Sequence, residues 1–472
     1  MASTWDAIVI GGGTAGMPTA IFAAERAKKV LLIEKYHVLG GTLDRSSGQI
    51  AAAGTKLQKQ FGIEDTPDEH YQDIIRINRG TSDLALTRLV VDNAAVTFDW
   101  LMDSGYTVVK DHPVKGSGHE FFTKRRYYWG PEMGVTIAKT MQPLVDKAVA
   151  KGNLTVMLNT GATELMVDAK GAVIGVKTET AAGEKAEHLS NNVVLASGGF
   201  ASNPAMYMEH HGVPLYSDIA HPMAQGEGVK MGLAVGGYCR GGDKYLCTFG
   251  SVLRHRNFPA PLEVALTLYP NMRMPWEIFV NSTGARFVRE DHPSVDHREK
   301  SLLAQPGHRH YVVFDQEILD KAPPIAPTWT REQFVKAFNT HPMFTSASTI
   351  GELAAKSGLD AVVMAKTIDS YNAAQASGSD KLGRNHMPLP IAKPPYYAIA
   401  VQGFTVKSCS GLGIDTQMRV LRSDGSPIQN LYAVGEVIGG GNTSGDSFVN
   451  GMMVTPALTF GRMLGQSILK FS

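Results

Sequence analysis

Ala7-Ile8-Val9-Ile10 is a short, wholly apolar run. Gly11-Gly12-Gly13-Thr14-Ala15-Gly16 follows it, then a helix-prone stretch from Pro18 to Ala27, then a second apolar run, Val30-Leu31-Leu32-Ile33, ending in Glu34. Uninterrupted apolar runs of this length mark strands covered on both faces of a sheet, so the opening predicts strand, glycine turn, helix, strand. The pattern from about 64 to 105 is helical, and Thr66-Pro67-Asp68-Glu69 supplies a start signal. Helix periodicity recurs from Gly134 to Val149. Strands are predicted over Leu154–Leu158, Ala172–Lys177 and Val193–Ala196, the last ending in Ser197-Gly198-Gly199. From about 240 to 395 prolines, histidines and aromatics crowd together and the apolar runs stop. Strand-like runs return at Tyr396 to Val401 and Asn430 to Gly435.

This order predicts an α/β protein. A split Rossmann-like domain with a central parallel sheet occupies 1–240 and 401–472, interrupted by an inserted α+β domain over 241–400. Hydrophobic residues make up 43% of the 472 positions, enough to fill a core and to exclude wholesale disorder. The 45 Lys+Arg and 44 Asp+Glu nearly cancel, giving no basic surface for nucleic acid. Three cysteines do not make a disulfide scaffold and fit a reducing compartment. No charged segment followed by an apolar one precedes the first strand, and no run approaches the ~20 apolar residues of a membrane span. The expectation is a cytoplasmic protein without integral membrane association. Glycine is in surplus, at 49 residues, where usage is ordinarily about 7 per cent.

Gly11-x-Gly13-x-x-Gly16 sits between predicted strand and predicted helix. Glycine there permits a tight turn and a close backbone approach to a pyrophosphate, while the helix N-terminus offers free N–H groups. Glu34, at the end of the next strand, suits the hydroxyls of a ribose. A second small-residue loop follows, with Gly40, Gly41 and Thr42, then Ser47 and Gly48. Further glycine loops occur at Ser197-Gly198-Gly199 and Gly435-Glu436. These favour FAD over NAD, and the absence of a second complete GxGxxG unit leaves the electron partner to a separate carrier, a quinone or oxygen. Neither a haem motif nor an iron–sulfur cysteine set is present. His308-Arg309-His310 lacks the further ligands of a metal site, so no metal is expected.

The GGGTAG turn, Glu34-Lys35, Gly40-Gly41, Ala51-Ala52-Ala53-Gly54-Thr55-Lys56 and Val194 to Phe200 resemble one family. So do Asn281 to Glu290, Leu431 to Glu436 and Pro456 to Arg462. It is the fumarate reductase/succinate dehydrogenase flavoprotein group, including soluble flavocytochrome-c-type reductases and 3-ketosteroid dehydrogenases. The resemblance implies FAD held by Gly11, Gly13, Thr14, Ala15, Gly16, Glu34, Lys35, Gly40, Gly41, Thr42, Ser47, Gly48, Ala53 and Gly54. From later segments it adds Ala196, Ser197, Gly198, Gly435, Glu436, Met452 and Val454. It also implies a capping domain that closes over the flavin, and hydride exchange with a carbon next to an activating group. Some relatives attach FAD through a histidine beside the second glycine turn; Leu43-Asp44-Arg45 offers none, so a non-covalent flavin is expected.

Departures from the family bear on substrate. By direct count Ser294 takes the place of the proton-donating arginine, with Asp296 and His297 beside it, and Lys407 replaces a substrate-side histidine. The carboxylate-clamping arginine is absent from Asn442 to Gly451. Against the ketosteroid dehydrogenases, Gly451 matches the glycine whose N–H polarises a ketone, and Ser447 stands where a tyrosine would be. From the residues themselves, Tyr127 or Tyr128 could supply a phenolic acid or base helped by Arg125 and Arg126. The catalytic candidates are therefore Tyr128, Ser294, Asp296, His297, Lys407, Ser447 and Gly451. The expected function is an FAD-dependent oxidoreductase that interconverts C–C single and double bonds α,β to a carbonyl of a small-molecule substrate. Two alternatives stand beside it. One is a reductase of an unsaturated carboxylate, holding its anion with Arg273, Arg298 or Lys407. The other is a non-catalytic electron-transfer or redox-sensing flavoprotein.

Overall fold

The computed structural model describes residues 3–27 and 29–470. Contacts within the chain separate into two compact units. The larger comprises residues 1–213, 220–246 and 407–472, and the smaller comprises 214–219 and 247–406.

The larger unit is built on a six-stranded sheet in the order Arg419–Leu421, Pro427–Ala433, Val193–Leu195, Ala7–Ile10, Val30–Ile33, Leu154–Met157. All neighbours are parallel except the antiparallel edge pair Arg419–Leu421 and Pro427–Ala433. The runs Ala7–Ile10, Val30–Ile33 and Val193–Leu195 are buried at every position, as expected of strands with both faces covered. Register matters for the site. Ile10 pairs with Ile33 and with Leu195, and Leu195 with Ala433. The turns that follow these residues therefore emerge side by side along one carboxyl edge, although they come from positions as far apart as Ile10 and Ala433.

Helix Gly16–Ala24 is buried at all of its residues. It packs against the C-terminal helix Val454–Ser467, where a Cβ at Gly461 would lie 2.3 Å from the Ala15 carbonyl oxygen and one at Gly465 2.5 Å from that of Thr19. Small residues let these two helices approach closely. The helix predicted from Thr66 forms over Pro67–Asn78, and Thr66 and Glu69 make a reciprocal capping box. Asp83 caps Leu84–Asp103. A separate four-stranded sheet, in the order Ser3–Thr4, Lys185–Leu189, Val173–Thr180, Thr160–Val167, completes the unit.

The smaller unit is α+β. Its sheet runs Ile278–Val280, Arg309–Asp315, Tyr396–Gln402, Phe344–Ala347, antiparallel throughout. The apolar run at Tyr396, expected as the return of strand-like character, is thus an inner strand of this sheet and has no place in the parallel one. Its core is aromatic, with Phe314, Phe334, Phe338, Phe344 and Tyr397 packed ring on ring. Buried ion pairs, Arg273–Glu277, Arg286–Glu290 and Arg286–Asp380, tie its loop segments together. Among the described residues, no helix is long and apolar enough to cross a membrane.

Candidate active site

At the carboxyl edge of the parallel sheet the chain backbone itself shapes the site. A Cβ at Gly16 would sit 1.7 Å from the Gly11 carbonyl oxygen, so the turn closes only with glycine there. No side chain caps the helix that begins at Gly16, and no acidic residue sits in its first turn, leaving its N-terminal dipole available to an anion. Both oxygens of Glu34 are oriented by backbone: the Gly12 N–H donates to Oε2 at 2.7 Å and the Tyr36 N–H to Oε1 at 2.8 Å. The Gly40 N–H donates to the Gly12 carbonyl at 2.9 Å, which joins the second small-residue loop to the first. Lys35, exposed, pairs with Glu227. Thr42 lies in the short helix Gly41–Asp44, and the Gly48 N–H donates to the Ser46 hydroxyl.

On the adjoining strand end, a Cβ at Gly198 would meet nothing within 4 Å. The Ser197 hydroxyl oxygen is buried and has no hydrogen-bond partner among the described residues. Open space beside an orphaned buried hydroxyl is what a cofactor cradle presents. Glu436, just past Gly435, accepts from the Ser408 N–H at 2.8 Å and the Ser408 hydroxyl at 3.0 Å. Burial pushes its carboxyl upward, those hydrogen bonds and Lys407 opposing.

Tyr128 lies beneath the loop that contains Ala53 and Gly54. The strand Tyr127–Tyr128 pairs with Ile50–Ala51, and the Tyr128 hydroxyl is 2.9 Å from that of Thr55. Its ring packs on Phe98 at 4.1 Å. The expectation that nearby arginines favour its phenolate needs correction: burial dominates and pushes the phenol well above its ordinary value, and Arg126 is only a minor opposing influence. Arg126 is itself fully buried and spent on two carboxylates, Asp65 at 2.7 Å and Asp73 at 2.6 Å. Arg125 donates to the carbonyls of Pro113 and Asp111.

Lys407, Ser447 and Gly451 come together with residues that no local pattern announced. Lys407 was expected in place of a substrate-side histidine. It occupies a bend and is buried, with its Nζ 3.9 Å from the centroid of the Phe448 ring. Phe448 stacks on His119 at 4.2 Å with planes 7° apart. The Ser447 hydroxyl donates to Asp446 at 3.1 Å and accepts from Arg79 at 3.2 Å. Thr81 donates to the same Asp446 oxygen at 2.9 Å. Gly451 (φ 79°) lies against Ala51, whose N–H donates to Thr455 at 2.8 Å. Met452 supplies the carbonyl that accepts from Thr443 and Ser444, and Val454 opens the C-terminal helix. Cys409, next to this bend, has its thiol pushed up to about 11 by burial, Lys407 opposing only in part.

The remaining candidates belong to the smaller unit. Ser294 is the N-cap of helix Val295–Leu303, its side chain accepting from the His297 N–H at 3.2 Å. Asp296 is buried; His297 is exposed and stacked on His292 at 4.1 Å. Arg298, fully buried on the same helix, donates to the Leu268 carbonyl and lies over the rings of Phe249 and Tyr269. Arg273, offered above as an anion holder, is committed to Glu277 at 2.6 and 2.9 Å and to the Pro323 carbonyl. Sequence reasoning missed Arg79, Thr81, His119 and Phe448. Their only local signal was polarity or aromaticity, and their roles arise from contacts across hundreds of positions.

A parallel sheet with glycine turns at its carboxyl edge, an oriented acidic residue after the second strand and an open cradle beside the third defines a dinucleotide-binding flavoprotein. The model of the FAD binding domain family matches residues 6–445, and the chain belongs to the FAD-dependent flavoproteins of the fumarate reductase/succinate dehydrogenase group. It is 30% identical over 474 residues to a urocanate reductase of Eggerthella lenta, covering 98% of this chain and 74% of that protein. It is 27% identical to a probable fumarate reductase of Shewanella frigidimarina, covering 99% of this chain and 75% of the relative. The solved open conformation of a flavocytochrome c3 fumarate reductase superimposes with a TM-score of 0.72 at 26% identity, over 99% of this chain and 78% of that one. FAD is the cofactor, and the chemistry is the FAD-dependent oxidoreduction of carbon–carbon double bonds.

Proposed function

We propose that this protein interconverts a C–C single bond and a C=C bond conjugated with a carbonyl-type group on a small molecule, with a separate electron carrier. The observation that supports this reading most is the buried Lys407 ammonium, gathered beside the loop of Ser447 and Gly451 in the same unit as the cofactor cradle. Positive charge and N–H donors held in place stabilise the negative charge that develops on a conjugated oxygen during hydride exchange.

The open space at Gly198 and the orphaned Ser197 hydroxyl fit a bound cofactor. In this reading Gly11 to Gly16 cradle the pyrophosphate, Glu34 holds a ribose, and the loops at Gly40, Ala53, Gly435 and Met452 enclose the remainder. Bound FAD supplies two-electron hydride chemistry at its isoalloxazine. The side chains of Leu43, Asp44 and Arg45 provide no histidine for attachment, so the flavin is held non-covalently; yellow colour remaining in an acid-precipitated pellet would refute this. Lys407 and the Gly451 backbone orient and polarise the conjugated group, and Arg79 with Asp446 fixes the Ser447 hydroxyl. In the smaller unit Ser294 serves its helix as a cap.

The test is anaerobic. Flavin on the enzyme, reduced with dithionite, is mixed with a panel of enones and enoates, and the oxidised flavin absorbance is followed. Reoxidation by members of either class is expected. If neither class alters the spectrum, the reading fails.

A further inference from the structure

We infer that His221 is a further cofactor-binding residue, whose Nε2–H donates a hydrogen bond to the ribose that Glu34 holds in the nucleotide half of FAD. The inference rests on the proposed role of Glu34 and adds a residue from a different loop.

Three consecutive residues at the end of the second parallel strand reach three places. Glu34 accepts from the Gly12 and Tyr36 N–H groups. Lys35 pairs through its Nζ with Glu227 at 2.5 Å. The Tyr36 ring meets the His221 ring edge-on, with centroids 5.3 Å apart. Residues 221–227 are thereby fastened beside Glu34. The end of the same segment joins another cofactor turn. The Gly226 N–H donates to the Gly199 carbonyl at 3.1 Å, and a Cβ at Gly228 would lie 2.1 Å from the Ser197 hydroxyl oxygen. The backbone of His221 is held as well, its carbonyl accepting from the Ser202 hydroxyl at 2.8 Å and the Ala224 N–H at 2.9 Å. His221 thus belongs to a segment that bridges Glu34 and Gly199 within the larger unit.

The fold also fixes the tautomer of this histidine. The Met223 N–H donates to Nδ1 at 3.2 Å, so that nitrogen carries no proton and the neutral ring holds its proton on Nε2. Burial lowers the pKa of the ring, Asp44 and Glu34 opposing and Arg45 assisting, so the ring is neutral at pH 7. Among the described residues no hydrogen bond uses Nε2. A ribose hydroxyl that gives its proton to a carboxylate keeps the lone pairs on its oxygen, and a fixed neutral N–H complements such an acceptor. Glu34 and His221 therefore divide the work: the carboxylate accepts from the ribose and the imidazole donates to it. The donor adds no charge beside Glu34, and its backbone is ordered before the cofactor arrives.

The experiment reads binding to the full chain and needs no turnover. FAD affinity is followed by the flavin fluorescence released on dilution of the loaded protein. ADP and 2′,3′-dideoxy-ADP are titrated by calorimetry into flavin-stripped chain that regains its full flavin content on reconstitution, which verifies that each variant is folded. His221→Phe keeps a ring against Tyr36 and removes the donor. It is expected to weaken FAD and ADP by about three- to tenfold and to leave dideoxy-ADP within about twofold. His221→Gln, whose amide can donate, is expected to recover most of that loss. Equal weakening of ADP and dideoxy-ADP overturns the inference, as does unchanged ADP affinity in His221→Phe or a glutamine variant as weak as the phenylalanine one. Glu34→Ala tests the role beneath it and should remove most of the preference for ADP over dideoxy-ADP. If Glu34→Ala does so and His221→Phe does not, only the His221 contact falls. If Glu34→Ala leaves the preference intact, the ribose role of Glu34 falls and the His221 contact with it.

Discussion

The strand-end glycine turns and the Lys407–Phe448–His119 column lie in the same compact unit, yet they hold their shape by different means. The first is made of backbone. Its turn closes on itself between Gly11 and Gly16, and its acidic residue is aimed by two N–H groups from its own neighbourhood. The second is made of side chains delivered from residues 79, 119, 407 and 446–451, and little in it is local. Where geometry comes from backbone, only steric exclusion can destroy it. Where it comes from side chains, charge, protonation and single contacts can tune it. That difference suits a group that keeps one cofactor and varies its substrate.

The largest effect should follow an attack on the backbone end. Gly16→Val puts side-chain atoms where 1.7 Å separates even a Cβ from a carbonyl oxygen. The turn must open, and flavin content per chain should fall by at least about tenfold. A variant that keeps its flavin would break the contrast. Next comes Arg126→Met in the side-chain-built floor under Tyr128. It leaves Asp65 and Asp73 buried without their shared cation and should cost about 3–5 kcal/mol in denaturant unfolding. A loss below about 1 kcal/mol would show that the network relaxes freely.

A pH test separates the two ends. His211 must be neutral at one nitrogen to accept from the Cys409 N–H beside Lys407, and burial pulls it down to about 4. Because the folded value lies below the ordinary one near 6.5, the unfolded chain takes up the proton first as pH falls. This contribution to stability is therefore complete above about pH 6.5 and is lost as pH drops toward 4, at no more than about 1.4 kcal/mol per pH unit. His211→Gln should flatten that part of the stability profile relative to wild type; parallel profiles would remove His211 from the support of Lys407. The smallest effect is expected for Ser294→Ala, which removes an N-cap worth about 1 kcal/mol and should leave kcat within about twofold. A tenfold loss of turnover at unchanged stability would restore Ser294 as a reacting group.

Legibility in the sequence followed the same division. The strand–turn–helix–strand opening and its acidic residue could be read because strand burial, turn chemistry and helix start act over a few neighbouring positions. The run at Tyr396 was equally apolar, and apolarity alone does not say which sheet receives a strand; its antiparallel partners Arg309–Asp315 and Phe344–Ala347 do. Lys407 was legible as a candidate through the family resemblance, but nothing within ten positions names the ring that it sits on, because His119 and Phe448 meet it only in the fold.

From its sequence alone the protein was determined to be an α/β flavoprotein of one family, with its glycine surplus placed at strand ends, because those features rest on local backbone conformation and a cofactor that is recognised through backbone. Only the tertiary structure decided what surrounds each charge. It placed Arg126 and Arg273 in ion pairs, buried Lys407 on Phe448 and turned Ser294 into a cap. The reason is physical: the energy of a charge depends on what surrounds it in space, and that neighbourhood is assembled by the fold.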